Sequence, residues 1–85
     1  MTLEFREMLM WEKELNRRKA ALADNIKAGR LEMGLAQERL ALEAGVDRTL
    51  VSKIERQIAN PSLEILVKLA SVLKIPVQEL LTDKK

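Results

Sequence analysis

Helix breakers are scarce in this chain, and where they stand constrains what it can fold into. Glycine occurs only at 29, 34 and 45 and proline only at 61 and 76, while 33% of the 85 residues are charged and strong helix formers dominate. Such a chain is all-α. Gly34 and Gly45 read as the ends of two helices, Asn60-Pro61-Ser62 as the opening of another, and Ile75-Pro76 as the opening of the last.

Between Gly34 and Leu81 apolar residues recur at helical spacing: Leu40, Ala41, Ala44; Val51, Ile54; Leu63, Leu66, Val67, Ala70, Leu73; and Val77, Leu80, Leu81. Upstream, Leu22, Ile26, Leu31 and Met33 complete a helix ending at Gly34. The expected fold is a compact five-helix domain over residues 21–82 around one small core, with an N-terminal helical extension over 1–20 and a tail over 83–85. In the extension Met8, Trp11, Leu15 and Leu22 draw an apolar stripe down one helix face, interrupted by Arg17-Arg18-Lys19. Either one helix runs from about Glu4 to Met33, or a separate helix breaks near Asn16 or at Asp24-Asn25; a break or kink is the expectation. The basic run reads as solvated helix surface, with a DNA-backbone arm as the alternative.

Composition narrows function mainly by exclusion. The chain has no cysteine and no histidine. Disulfides, thiol nucleophiles and the usual zinc ligands are therefore absent, and neutral-pH acid–base catalysis would fall on a strongly shifted Glu, Asp or Lys. An enzyme, a metal site and a cofactor are not expected. Apolar runs fall far short of the roughly 20 residues that span a bilayer, and Met1-Thr2-Leu3-Glu4-Phe5-Arg6-Glu7 is acidic rather than signal-like, so a cytoplasmic protein without membrane contact is expected. Fifteen basic against 13 acidic side chains leave a net charge of +2, a hint of an anionic partner that needs locating.

The informative window is Gln37 to Ile54, where Gln37, Ala41, Gly45, Val51 and Ile54 occupy relative positions 1, 5, 9, 15 and 18. Two helices crossing steeply need a small residue at the contact, Ala41, and a residue tolerant of positive φ in the turn, Gly45. Val51 and Ile54 then fall on the inner face of the second helix. An ordinary helical hairpin would show the same pattern; the outer face of the second helix separates the two. Asp47 sits where an N-cap carboxylate would accept from first-turn amides. Arg48, Thr49, Ser52, Lys53 and Arg56 form one stripe without an acid, suited to phosphates and base edges in a DNA major groove. A merely solvated face usually mixes both signs of charge.

The run L-A-Q-E-R-L-A-L-E-A-G-V-D-R-T-L-V-S-K-I-E-R-Q over 35–57, followed by N-P-S-L-E-I-L-V-K-L-A-S-V-L-K-I-P-V-Q-E-L-L over 60–81, resembles the helix-turn-helix domains of the Cro and phage-repressor class, including restriction–modification controller proteins. The resemblance covers about Leu22 to Leu81. It implies a sequence-specific regulator binding a palindromic operator as a homodimer, with a recognition helix over about Arg48–Arg56. It makes Arg48, Thr49, Ser52 and Lys53 base contacts, and Gln37, Arg56, Gln57 and Asn60 phosphate contacts, with Gln37 also buttressing the recognition helix. It pairs Arg30 with Glu55, which explains an acid beside a DNA-facing stripe. Leu50 would touch a thymine methyl or be a partly buried margin residue.

The sequence departs from the family pattern at three places. Ala36 stands where Ser or Thr usually caps the second helix. Gln57 and Lys74 replace glycines that end the third and fourth helices, and so are expected at positive φ. The dimer surface should be apolar and away from the stripe, which nominates Val77, Leu80 and Leu81, or Met8, Trp11 and Leu15. No effector domain is expected, so no small-molecule effector is either. Other readings are an antitoxin or interaction module whose N-terminal helix, Leu3 to Leu15, binds a partner protein, and a helix-turn-helix fold that no longer binds DNA.

Overall fold

The computed structural model describes residues 2–84, with side chains from Leu9 onward. Four α-helices follow in order: α1 (Thr2–Glu32), α2 (Gln37–Ala44), α3 (Leu50–Glu55) and α4 (Leu63–Leu73). The fifth expected helix is a short 3-10 helix, Val77–Leu81. Pro76 opens it, and the Glu79 N–H donates to the Pro76 carbonyl at 2.9 Å and that of Thr82 to Glu79 at 3.3 Å. Such i to i+3 bonding is typical of a single turn too short to propagate an α-helix.

The expected break in the first helix does not occur. No glycine or proline interrupts it before Gly29, and the local competition that asparagine offers to a helix backbone is removed because the Asn25 amide is engaged elsewhere. Its Nδ2 lies 3.0, 3.0 and 2.9 Å from the carbonyl oxygens of Glu79, Leu80 and Thr82. The helix ends at Gly34, with φ 70°, where the Leu35 N–H donates back to the Arg30 carbonyl at 2.9 Å, a closure that a left-handed residue allows. Gln57 and Lys74 adopt positive φ, 65° and 59°, as their positions predicted.

The core joins Leu22 and Ile26 of α1 to Leu40, Ala41 and Ala44 of α2, Val51 and Ile54 of α3, Leu66, Leu69, Ala70 and Leu73 of α4, and Leu80. Leu31, Met33, Leu63 and Val67, expected on inner faces, are exposed; the inner face of α4 uses Leu69 instead. Among the described side chains of α1, from Leu9 onward, the first that is buried is Ala21. Upstream of Leu15 the helix runs past the body of the protein: the radius of gyration is 14.0 Å, against about 12 Å for a compact domain of this length. No helix among the described residues is long and apolar enough to cross a membrane.

Candidate nucleic-acid interface

The α2–α3 unit is built on the two small positions that the spacing singled out. Ala41 is fully buried at the crossing, and Gly45 closes α2 in the left-handed conformation, φ 70° and ψ 36°. The Val46 N–H then donates to the Ala41 carbonyl at 3.0 Å, which turns the chain toward α3. Val51 and Ile54 are buried on the inner face of α3. Arg48, Thr49, Lys53 and Arg56 are exposed on the opposite side, Ser52 is half-buried, and Leu50 packs against the core.

Asp47 differs from expectation. It does not cap α3 through first-turn amides: Thr49 is the N-cap residue, and Asp47 Oδ1 accepts from the Thr49 N–H at 2.8 Å and the Thr49 hydroxyl at 2.6 Å. These two bonds hold the Asp47 carboxyl below the usual carboxylate range; desolvation opposes them, and the Lys53 and Arg48 charges add to their effect. Arg48 and Thr49 thus precede the regular helix in an ordered turn. With its proton given to Asp47, the Thr49 hydroxyl offers only lone pairs and its methyl to a ligand.

Behind α3 lies a buried polar cluster. Arg30 donates through Nε to Glu55 Oε2 at 2.7 Å and through Nη2 to Oε1 at 2.9 Å, while its Nη1 reaches the Leu35 carbonyl at 3.0 Å. Gln37 Nε2 donates to Glu55 Oε1 at 2.9 Å. The paired side chains are only 10% and 7% exposed. Burial pushes the Glu55 carboxyl up, but the hydrogen bonds from Arg30 and Gln37 and the charges of Arg30 and Lys27 outweigh it, leaving the group below its ordinary range. The Glu55 hydrogen bond raises Arg30 further above its already high value. The bidentate geometry fixes direction as well as distance, so α3 is clamped to the end of α1 and the start of α2. The one acid of α3 is thereby turned away from its cationic face.

Residues 26–80 match the family model described as helix-turn-helix (HTH_3). The chain belongs to the helix-turn-helix family of the Cro and phage-repressor, XRE-like type. A hypothetical transcription factor of Neisseria meningitidis serogroup B is 40% identical over 63 residues, covering 74% of this chain and 59% of that protein. The control protein C.SmaI of Serratia marcescens is 39% identical over 64 residues, covering 75% of this chain and 76% of that protein. The solved N-terminal DNA binding domain of SinR from Bacillus subtilis superposes with a TM-score of 0.70 at 39% identity, covering 74% of this chain and 93% of that one. The chain spans 59% of the Neisseria protein's length and 58% of SinR's.

Around the helix-turn-helix, Gln57 and Asn60 are exposed in the loop that leaves α3, near Arg56. Of the apolar residues nominated for a subunit contact, Leu80 is fully buried in the chain's own core and so is closed to a partner. Val77, Leu81 and Leu15 are half-buried, Trp11 is exposed, and the Met8 side chain lies outside the described residues. The Arg17-Arg18-Lys19 run is divided in its bonding. Glu14 binds Arg17 at 3.1 Å and Arg18 at 2.7 Å, and Arg18 Nη1 also donates to the Leu81 carbonyl at 2.8 Å, so Arg18 ties α1 to the C-terminal turn.

Two positioning residues escaped the sequence reading. Asn25 holds the 3-10 helix, and its signal was a polar residue on the same face of α1 as Leu22 and Ile26. At Gly29 a Cβ would stand 3.1 Å from Ile75 Cδ1 and 3.3 Å from Leu73 Cδ1, so α1 and the end of α4 approach closely there; no sequence pattern marked it.

Proposed function

We propose that this helix-turn-helix protein is a sequence-specific DNA-binding transcriptional regulator that acts as a homodimer on a palindromic operator. The observation that carries this reading is the outer face of the α3 region, where Arg48, Thr49, Lys53 and Arg56 are exposed while Glu55 is consumed by Arg30 and Gln37. Such a face laid in a major groove offers Arg48 and Lys53 to guanine edges, the Thr49 methyl to a thymine, and Ser52 to either kind of base. Arg56, Gln57 and Asn60 meet the phosphates at the helix's end, and the second Nε2 hydrogen of Gln37 is available to a phosphate while the first remains on Glu55. Residues 36–60 carry four basic and four acidic side chains, so affinity rests on placement rather than net charge.

One short helix reads too few base pairs for specificity, which two copies on half-sites about 34 Å apart would supply. Selection of DNA by the purified protein tests the reading: the enriched sequence should be a palindrome with that spacing. Failure to enrich any sequence at low salt would refute it.

A further inference from the structure

Asp47 is an exposed acid between the turn glycine, Gly45, and the cationic face of α3. An acid there weakens attraction to a phosphate backbone, so its contribution lies in what it holds. A single oxygen, Oδ1, accepts from the Thr49 N–H at 2.8 Å and from the Thr49 hydroxyl at 2.6 Å. Bonds from the backbone and the side chain of one residue to one atom fix the rotamer of Thr49. The shorter distance is that of a hydroxyl donating to an ionised carboxylate, and an ionised carboxylate can only accept. The one proton of the Thr49 hydroxyl is therefore committed to Asp47, and an exposed side chain is left with lone pairs alone.

A threonine hydroxyl with a free proton discriminates weakly, since it rotates to donate or to accept as the base requires. One whose proton is committed has a fixed polarity. On its major-groove edge guanine presents only the acceptors N7 and O6, and thymine the acceptor O4, whereas adenine and cytosine carry the exocyclic amines N6 and N4. Lone pairs set against O6 or O4 repel; set against an amine they bond. Every base pair carries one such amine in the major groove, so the choice is of the strand that holds it.

We propose that Asp47 is a specificity-determining positioning residue: by holding the Thr49 proton it makes Thr49 an obligate acceptor, which selects adenine or cytosine on the strand it faces and rejects guanine and thymine there. The Thr49 methyl remains available to a thymine at the adjacent step. The proposal rests on the reading that Thr49 meets base edges, and adds to it a base class at one position of each half-site.

The test is DNA selection run in parallel on the parent protein, Thr49→Val, Asp47→Ala, Asp47→Asn and the double variant Asp47→Ala with Thr49→Val. Thr49→Val keeps the shape and the methyl but has no lone pairs, so the position it relaxes is the one Thr49 reads; the parent should prefer adenine or cytosine there. Asp47→Ala frees the proton and should raise acceptance of guanine and thymine at that position about fivefold or more. Asp47→Asn, whose side-chain oxygen can accept the same two bonds, should restore the parent preference. In the Thr49→Val background Asp47→Ala should leave the position unmoved. An acid acting only through phosphate repulsion or the order of the turn would change affinity on all sequences alike and not the base chosen at one position. The altered side chains are exposed, and circular dichroism melts check that each variant folds.

A parent preference for guanine or thymine at the position Thr49→Val relaxes overturns the proposal, as does a preference that survives Asp47→Ala or is lost equally in Asp47→Asn. A parent that enriches a sequence of which Thr49→Val relaxes no position also overturns it, and leaves the regulator reading standing. A parent that enriches no sequence at low salt removes both together.

Discussion

On the inward side of α3, Val51 and Ile54 are packed in the core and Glu55 accepts three hydrogen bonds from two other helices. On the outward side, Arg48, Lys53 and Arg56 stand exposed, and among the described residues none forms an ion pair. The two sides are separated only by the width of one helix, about 10 Å, and both are charged, yet their charges do different work. A buried pair has lost its hydration and depends on its partner, so removing one member leaves an uncompensated charge. An exposed cation keeps its water until a ligand displaces it, so removing it leaves the fold unchanged. The inward side should answer to stability measurements and the outward side to binding measurements.

The largest effect expected is for Glu55→Gln, which leaves the Arg30 guanidinium buried without its counter-charge. Chemical denaturation should show a loss of about 3–5 kcal/mol, with operator affinity falling as α3 loses its clamp. If stability and affinity both held, Glu55 would belong with the outward residues and the contrast would collapse.

Acid probes the same cluster without mutation. The folded Glu55 carboxyl lies below its ordinary range, so its stabilisation is present above the ordinary glutamate value and is lost as the pH falls through the depressed folded value. Melting temperature followed downward from pH 6 should therefore fall more steeply for the parent protein than for Glu55→Gln. Parallel curves would mean that the pair does not govern acid sensitivity.

Arg48→Ala tests the outward side. Specific binding should weaken by about 1–3 kcal/mol and one base position should relax, read by DNA selection, with the melting temperature unmoved. Arg56→Ala, as a phosphate contact, should weaken binding equally on all sequences and lower the salt slope by about 1.

The smallest effect sharpens the contrast by removing distance as an explanation. Arg39 and Glu43 on α2 are 2.8 Å apart, nearly the spacing of Arg30 and Glu55, but are 59% and 38% exposed. Arg39→Ala should cost no more than about 1 kcal/mol in denaturation. A loss comparable to that of Glu55→Gln would show that burial is not what separates the two pairs.

The local features were largely legible. The left-handed residues Gly34, Gly45, Gln57 and Lys74 stand where helix punctuation put them, because closing a helix through positive φ is a demand of backbone sterics over a few residues. The composition of the α3 face was legible too, since sharing a face follows from spacing alone. Which apolar residues are covered was less so: Leu31, Met33, Leu63 and Val67 fit the periodicity yet are exposed. Periodicity says which side chains point the same way, not whether another element lies over them. The continuity of α1 was misread for a related reason, because Asn25 favours a break by local preference and is held in the helix by carbonyls 54 to 57 residues away.

By itself the sequence determined an all-α chain, the small residues at the α2–α3 crossing and its turn, and a stripe of cations on one face, all consequences of backbone geometry within a turn or two. Tertiary structure alone decided that α1 is a single helix projecting past the body, that Val77–Leu81 is a 3-10 turn pinned by Asn25, that Leu80 is core, and that Asp47 orders the Thr49 turn rather than capping the helix. Each of these depends on which distant group claims a side chain or its space, and contacts across the chain are set by packing that no local pattern encodes.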